Sequence, residues 1–347
     1  MPQKILQTPL THKEIIIDDK KDTIILALES SCDETACAIV KNGREVLSNI
    51  VASQIKTHMK FGGVVPEVAA REHLEAVNEV IAKAFEEAQI SPENITAIAA
   101  TVGPGLVGSL LVGMNAAKTL SIVYDKPFIG INHLNAHVCA NYINTDLEPP
   151  FIALLVSGGH TQIIKVANYS NSEILGETID DAAGEAFDKV ARLLDLPYPG
   201  GPHLDKMADN GNPYAYKFTK AKTDEFDFSF SGLKTAVLQL VKRLSTENEN
   251  YNKADVAASF RENITGILAE KTLKAAEKYN IKTIVLAGGV AANSEIRRKI
   301  RAFEQKQYKI YIPEMKYCTD NAAMIGSCAY FDDDVITDLG VEVFSRL

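Results

Sequence analysis

His133 and His137 stand four residues apart in NHLNAH, residues 132–137. On a helix that spacing puts both side chains on one face, so two imidazoles can point at one ion. Two ligands do not complete a site, and the same pair serves equally as two hydrogen-bonded histidines on a helix face. A third donor has to come from elsewhere. Acidic residues beside glycine turns or breaks offer three candidates: Asp33 in ESSCDET, Asp188 in GEAFDK and Asp320 in CTDNAAMIG. Two imidazoles and a carboxylate that leave coordination positions open suit iron or zinc acting on a bound substrate. A metalloprotease of HxxxH type needs Glu directly after the first histidine, and here that position is Leu134, which disfavours peptide hydrolysis. ESSCDET itself brings Glu29, Asp33 and Glu34 together, either as a solvated hairpin tip or as an acidic functional turn.

A second kind of chemistry is suggested by glycine. VSGGH (156–160) and AGGVAAN (287–293) each end an apolar run with two glycines, which lets backbone N–H groups approach phosphate oxygens closely. Either could be a tight structural turn, and a third element, GPGLVG (103–108), adds to the case for a phosphate-bearing ligand. No GK[ST] follows any of them, which excludes a P-loop; GPGLVG has the GxGxxG spacing but is not read as a dinucleotide fingerprint, and a nucleotide site of another type is expected.

The elements that must position these residues are mixed α/β. TIILALESS and TACAIV read as paired strands around the CDE turn. Val68–Gln89 carries apolar residues at helical spacing, ITAIAATV reads as a strand, and SLLVGMNAAKTLSIVY as a helix. At residue 151 the pattern restarts, with FIALLVSGG and HTQIIKVA as a second strand pair, so the chain is expected to contain two similar halves. The expected organisation is a polar extension at 1–22, read as a disordered tail; a first domain at 23–150; and a second at 151–347. A long helix at 254–279, a strand at TIVLAGG and a helix from about Ser294 complete the second, and Asp195–Asp227 is its expected flexible part. The chain's 347 residues suit two cores. Five cysteines without a CxxC pair read as reduced thiols, and with no signal-like start or long apolar run the expected location is the cytoplasm, with no membrane. A net charge of −9 argues against broad nucleic-acid binding and leaves a local patch, for which Arg297, Arg298, Lys299, Arg301 and Lys306 are the densest basic group. A solvated helix face explains that group equally well.

Taken together, LESSCDET, GGVVPEVAAREH, TVGPGLVGSLLVG, NHLNAH, LLVSGGHT, DDAAGEAFDKVARLL with YPGGP, FSFSGLKTA, LAGGVAAN and CTDNAAMIG resemble the tRNA N6-adenosine threonylcarbamoyltransferase (TsaD-like) family over roughly Thr23 to Tyr330. The resemblance implies two duplicated actin/Hsp70/sugar-kinase-like (ASKHA) domains with a nucleotide cleft. It also implies an inserted segment at about 180–255 and a last helix returning to the first domain. By the same resemblance, one divalent metal per subunit, iron first with zinc or magnesium as alternatives, is held by His133, His137 and Asp320. The threonylcarbamoyl-adenylate site maps onto Leu155, Val156, Ser157, Gly158, Gly159, Asp188, Gly201, Asp205 and Asn293. Glu34 or Asp33 is the candidate proton acceptor. Implied partners are tRNA, a paralogous TsaB-like subunit and a small TsaE-like ATPase. Many relatives carry Glu-Gly where this chain has Asn135 and Ala136. A small-molecule kinase or ATPase of the actin-like superfamily is the alternative function.

Overall fold

The computed structural model describes residues 3–247, 251–333 and 335–345. The chain divides into two compact units: Met1–Glu148 with Asp320–Leu347, and Pro149–Thr319.

The first unit opens with a two-stranded antiparallel hairpin, β1 (Lys4–Gln7) and β2 (Glu14–Ile17), where a disordered tail was expected. Each strand is only four residues long, and the buried anchors are few, chiefly Leu6 and Ile17. So short an alternation gives little periodicity to read. A meander follows: β3 (Ile24–Glu29), β4 (Glu34–Lys41) and β5 (Glu45–Ser53), each antiparallel to the next. A short turn of helix, α1 (Ile55–His58), leads to α2 (Pro66–Ala88), which starts with Pro in its first turn and stops where Gln89 turns left-handed at φ 53°. Then come β6 (Ala97–Gly103), α3 (Val107–Tyr124), β7 (Phe128–Asn132) and α4 (His133–Cys139). Because β6 and β7 join parallel to β3 and to each other, the sheet runs β5-β4-β3-β6-β7. Its central strands are buried on both faces and read as continuous apolar runs. Helix α3 is long and apolar enough to cross a membrane by composition, but it packs on β6 and α2 with Leu110, Met114 and Ala117 in the core.

The second unit repeats this plan. Strands β8 (Phe151–Val156), β9 (Thr161–Asn168) and β10 (Asn171–Glu177) form the meander, and β11 (Thr283–Ala287) and β12 (Lys309–Tyr311) add in parallel, giving the order β10-β9-β8-β11-β12. Helices α5 (Ala183–Leu193), α6 (Gly200–Ala208), α7 (Ser231–Glu247), α8 (Lys253–Lys278) and α9 (Ser294–Arg301) surround it. The stretch 195–227 is tied in rather than loose: α6 lies within it, and Lys271 Nζ donates to Thr223 Oγ1 at 2.9 Å and to the Asp227 carbonyl at 2.6 Å. The last helix, α10 (Ala322–Phe331), is wholly buried in the first unit, against α4 and β3.

Candidate metal centre and nucleotide-binding turns

In the first unit, the end of β7 delivers Asn132, whose side chain caps α4 by accepting from Leu134 N at 2.8 Å and Asn135 N at 3.3 Å. That cap fixes the first turn of α4, from which His133 and His137 project on one face with ring centroids 4.7 Å apart. Asp320 immediately precedes Asn321, whose side chain caps α10 through Met324 N at 3.1 Å. Asp320 Oδ1 thereby stands 3.2 Å from His137 Nε2 and 3.6 Å from His133 Nε2. Of the three acidic candidates, Asp320 is the one brought to the histidines. The three side chains offer ligand atoms all within 4.8 Å of one another.

The far side of His133 is also arranged. Its Nδ1 lies 3.0 Å from Glu29 Oε2 and 3.2 Å from Ser31 Oγ, and Glu29 is in turn held by Thr101 Oγ1 at 2.6 Å and Ser31 N at 2.5 Å. A carboxylate on Nδ1 fixes the tautomer that leaves Nε2 free for an ion. Burial pushes the Glu29 carboxyl up, but His133 and Thr101 outweigh that and hold it below its ordinary range. Burial alone would lower His133, yet Glu29 and Asp320 raise it to about 9; for Asp320 burial is outweighed by the two histidines, which bring it to about 2. His137 Nδ1 is buried with no hydrogen-bond partner among the described residues. Two imidazoles, one carboxylate and a carboxylate behind one ring match the donor chemistry of a borderline divalent metal.

Glu34 and Asp33 belong to the same neighbourhood. Burial, then the charges of Asp320 and Asp33, raise the Glu34 carboxyl to about 10, and Ser53 Oγ donates to its Oε1 at 3.2 Å. The acidic turn is therefore no solvated tip, since Glu29 and Asp33 are 1% and 8% exposed. Ser31 and Thr101, which hold Glu29, went unrecognised as site residues; only their place inside ESSCDET and ahead of GPG hinted at them.

In the second unit, Leu155 and Val156 end β8 as fully buried core residues, so their side chains belong to the core and only their backbone can serve a ligand. The turn that follows is closed by Ser157 N donating to the His160 carbonyl at 2.8 Å and His160 N to Ser157 Oγ at 3.1 Å. A Cβ added at Gly158, Gly159, Gly201 or Gly289 would meet nothing within 4 Å, so the protein's own packing does not require glycine there. Gly288 differs: its φ is +87° and a Cβ would lie 2.4 Å from the Val156 carbonyl oxygen, which fixes the β11 turn against β8. Asp188 accepts from Gly201 N at 3.0 Å, and burial nevertheless raises its carboxyl above the ordinary range. Asp205 and Asn293 meet each other at 2.8 Å, and both are already engaged. Asp205 pairs with Arg261 at 2.8 Å, while Asn293 Oδ1 caps α9.

Two expectations are corrected. The glycines of GPGLVG are dictated by close packing, because a Cβ on Gly103 would lie 2.4 Å from the Phe344 carbonyl oxygen and one on Gly105 2.7 Å from that of Ser31. They add nothing to the case for a phosphate. The basic group on and after α9 is only partly available: Arg298 pairs with Glu295, Lys299 with Glu262 and Arg301 with Glu304, and Arg297 is tied to the Ala291 and Pro313 carbonyls with its charge kept.

Two repeated five-stranded units, one with a His–His–Asp group and the other with open glycine turns, define an ASKHA-type α/β protein of the actin and sugar-kinase class. Solved structures share that fold: HypF of T. kodakarensis is 18% identical with a TM-score of 0.60, covering 94% of this chain and 48% of its own. The (R)-2-hydroxyglutaryl-CoA dehydratase component A of Acidaminococcus fermentans is 17% identical with a TM-score of 0.52, covering 89% of this chain and 98% of its own. The TsaD family model, described as tRNA N6-adenosine threonylcarbamoyltransferase, matches residues 45–327. A protein of that name from Clostridium perfringens (strain 13 / Type A) is 55% identical over 318 residues, 90% of this chain and 93% of its own length. One from Clostridium novyi (strain NT) is 53% identical over 317 residues, again 90% and 93%. The chain belongs to the tRNA N6-adenosine threonylcarbamoyltransferase family and is a transferase.

Proposed function

We propose that this enzyme transfers the threonylcarbamoyl group of threonylcarbamoyl-adenylate to N6 of adenosine 37 in tRNAs that read codons beginning with A. The observation that carries the reading is the His133–His137–Asp320 group with Glu29 behind it, a constellation a small-molecule kinase has no use for. In the transfer, the N6 amine forms a bond to the carbamoyl carbon, the bond from that carbon to the phosphate oxygen breaks, AMP departs, and one N6 proton must be accepted. The second unit's open glycines, Gly158, Gly159, Gly201 and Gly289, admit the adenylate against backbone N–H groups. Asp188 serves the ligand directly, whereas Asp205 and Asn293 shape the turn before α9. In the first unit, His133, His137 and Asp320 hold a divalent ion, iron by preference with zinc or magnesium as alternatives. Such an ion would supply positive charge for substrate oxygens and would offset the acidic cluster. Glu34 or Asp33 is assigned as proton acceptor; because burial and the neighbouring Asp320 and Asp33 carboxylates on their own hold Glu34 protonated, it can take that role only with a cation on the adjacent Asp320 to return it to the ionised form.

With the α9 basic residues partly paired internally, tRNA capture is assigned largely to partner proteins, a TsaB-like paralogue and a TsaE-like ATPase, in the cytoplasm where the five free cysteines stay reduced. The test is to supply enzyme, partner subunits, threonylcarbamoyl-adenylate and unmodified tRNA, digest the RNA, and read the nucleosides by mass spectrometry. Threonylcarbamoyl-adenosine is expected from a tRNA with A37 and not from its A37→G counterpart; equal product from both would refute the site assignment, and phosphorylation of a small acceptor in its place would restore the kinase alternative.

A further inference from the structure

The N-terminal hairpin lies outside the family match at 45–327, yet it is tied to α10, the helix whose capping residue Asn321 directly follows the third metal-site residue, Asp320. Lys4, 9% exposed, donates through Nζ to the carbonyl oxygens of Ala329 at 3.1 Å and Asp332 at 2.5 Å. Those are carbonyls at the C-terminal end of α10, which a helix cannot satisfy internally and toward which its dipole draws a cation. Tyr330 Oη adds a bond to the Asp18 carbonyl of the hairpin's second arm at 3.4 Å. Asp332 faces a second element as well: Asn135 Nδ2, on α4 between the two histidines, donates to its Oδ2 at 2.9 Å. Further along, Ser327 Oγ donates to the Cys139 carbonyl at 3.0 Å. Helices α4 and α10 are thus registered at two rungs, and their relative position sets the separation of Asp320 from His133 and His137.

We propose that Lys4 is a positioning residue for the metal centre, locking the C-terminal end of α10 against α4 through the Lys4–Asp332–Asn135 node. This rests on the reading of His133, His137 and Asp320 as metal ligands. A rigid helix of ten residues carries a displacement of its far end to Asp320 over about 15 Å, so loosening the node widens the distribution of ligand distances without removing a ligand.

The test uses the full chain and cobalt(II) alone as probe, read by its d–d absorption and by competition with a chromophoric chelator, with thermal melting in parallel. Lys4→Met is expected to weaken cobalt binding about 3- to 10-fold, somewhat below the effect of outer-shell partners at metal sites, and to change the absorption band. Lys4→Arg, which can still donate to both carbonyls, is expected to restore both. Should Lys4→Met fold poorly, Asn135→Asp sets two carboxylates against each other and should weaken binding similarly, with Asp332→Asn in the same chain restoring it. A Lys4→Met protein that melts earlier but binds cobalt within twofold of wild type, with an unchanged band, overturns the positioning role. If wild type itself binds no more tightly than His133→Ala/His137→Ala, the ligand assignment fails instead.

Discussion

Asp188 is a carboxylate whose burial raises its pKa although the backbone N–H groups of Gly201 and Gly200 bond to it. A group with a raised folded-state pKa leaves stability intact below its unfolded value and lowers it as pH climbs through the folded one. Asp188→Asn should therefore raise the melting temperature at neutral pH, with the gain shrinking below about pH 4, the ordinary Asp range. The same change should weaken binding of a non-hydrolysable adenylate analogue about tenfold, the usual worth of a hydrogen bond to a charged group. Melting curves at two pH values and calorimetry check both; a variant less stable at pH 7 contradicts the burial argument. Glu34→Gln should cut turnover by about 10²-fold or more with little change in donor affinity, as removal of a proton acceptor does. Near-normal single-turnover rates would return the role to Asp33. At this scale the pairing of His133 with His137 was legible, because they share a helix turn, while the choice of Asp320 beside them came from the resemblance. The sequence was silent on Thr101, which reaches Glu29 only through the parallel pairing of β6 with β3, and on Ser31, whose backbone N–H meets Glu29 two residues back within one turn.

Among elements, the two glycine turns of the second unit are alike in sequence and opposite in cause. Gly288 is demanded by the fold: Gly288→Ala places a Cβ against the Val156 carbonyl in left-handed backbone and should destabilise the protein by about 2–4 kcal/mol. Gly158→Ala and Gly159→Ala meet open space, so stability should stay within about 0.5 kcal/mol while donor affinity falls about tenfold. Denaturant titration and donor binding on the three variants separate these cases; a destabilised Gly158→Ala would make that turn structural. The helices were read almost to the residue where periodicity is long, as for α2 and α8. The N-terminal hairpin was not, since its strands are four residues each and its anchoring Lys4 looks like any surface lysine until α10 is folded beside it.

For the whole molecule, the duplication was visible in the restart at residue 151 and is met by the matching strand orders of the two sheets. What sequence could not resolve was the fate of its charges. The basic residues of α9 look like a polyanion surface in one dimension and are partly engaged with Glu262, Glu295, Glu304 and backbone carbonyls in three. For a chain of net charge −9 with three of the five cations on and after α9 paired to carboxylates, tRNA affinity is expected to rise strongly with partner subunits and to fall steeply with salt. The central claim, that the His133–His137–Asp320 group serves acyl transfer to tRNA, is met most directly by supplying threonylcarbamoyl-adenylate labelled in its threonine carbon, together with the partner subunits and unmodified tRNA. Label entering the RNA is then counted for wild type and for His133→Ala/His137→Ala. The account predicts transfer by the wild type and loss of about 10²-fold or more in the double variant, the scale typical of removing a principal catalytic electrostatic group; equal transfer by both would contradict it.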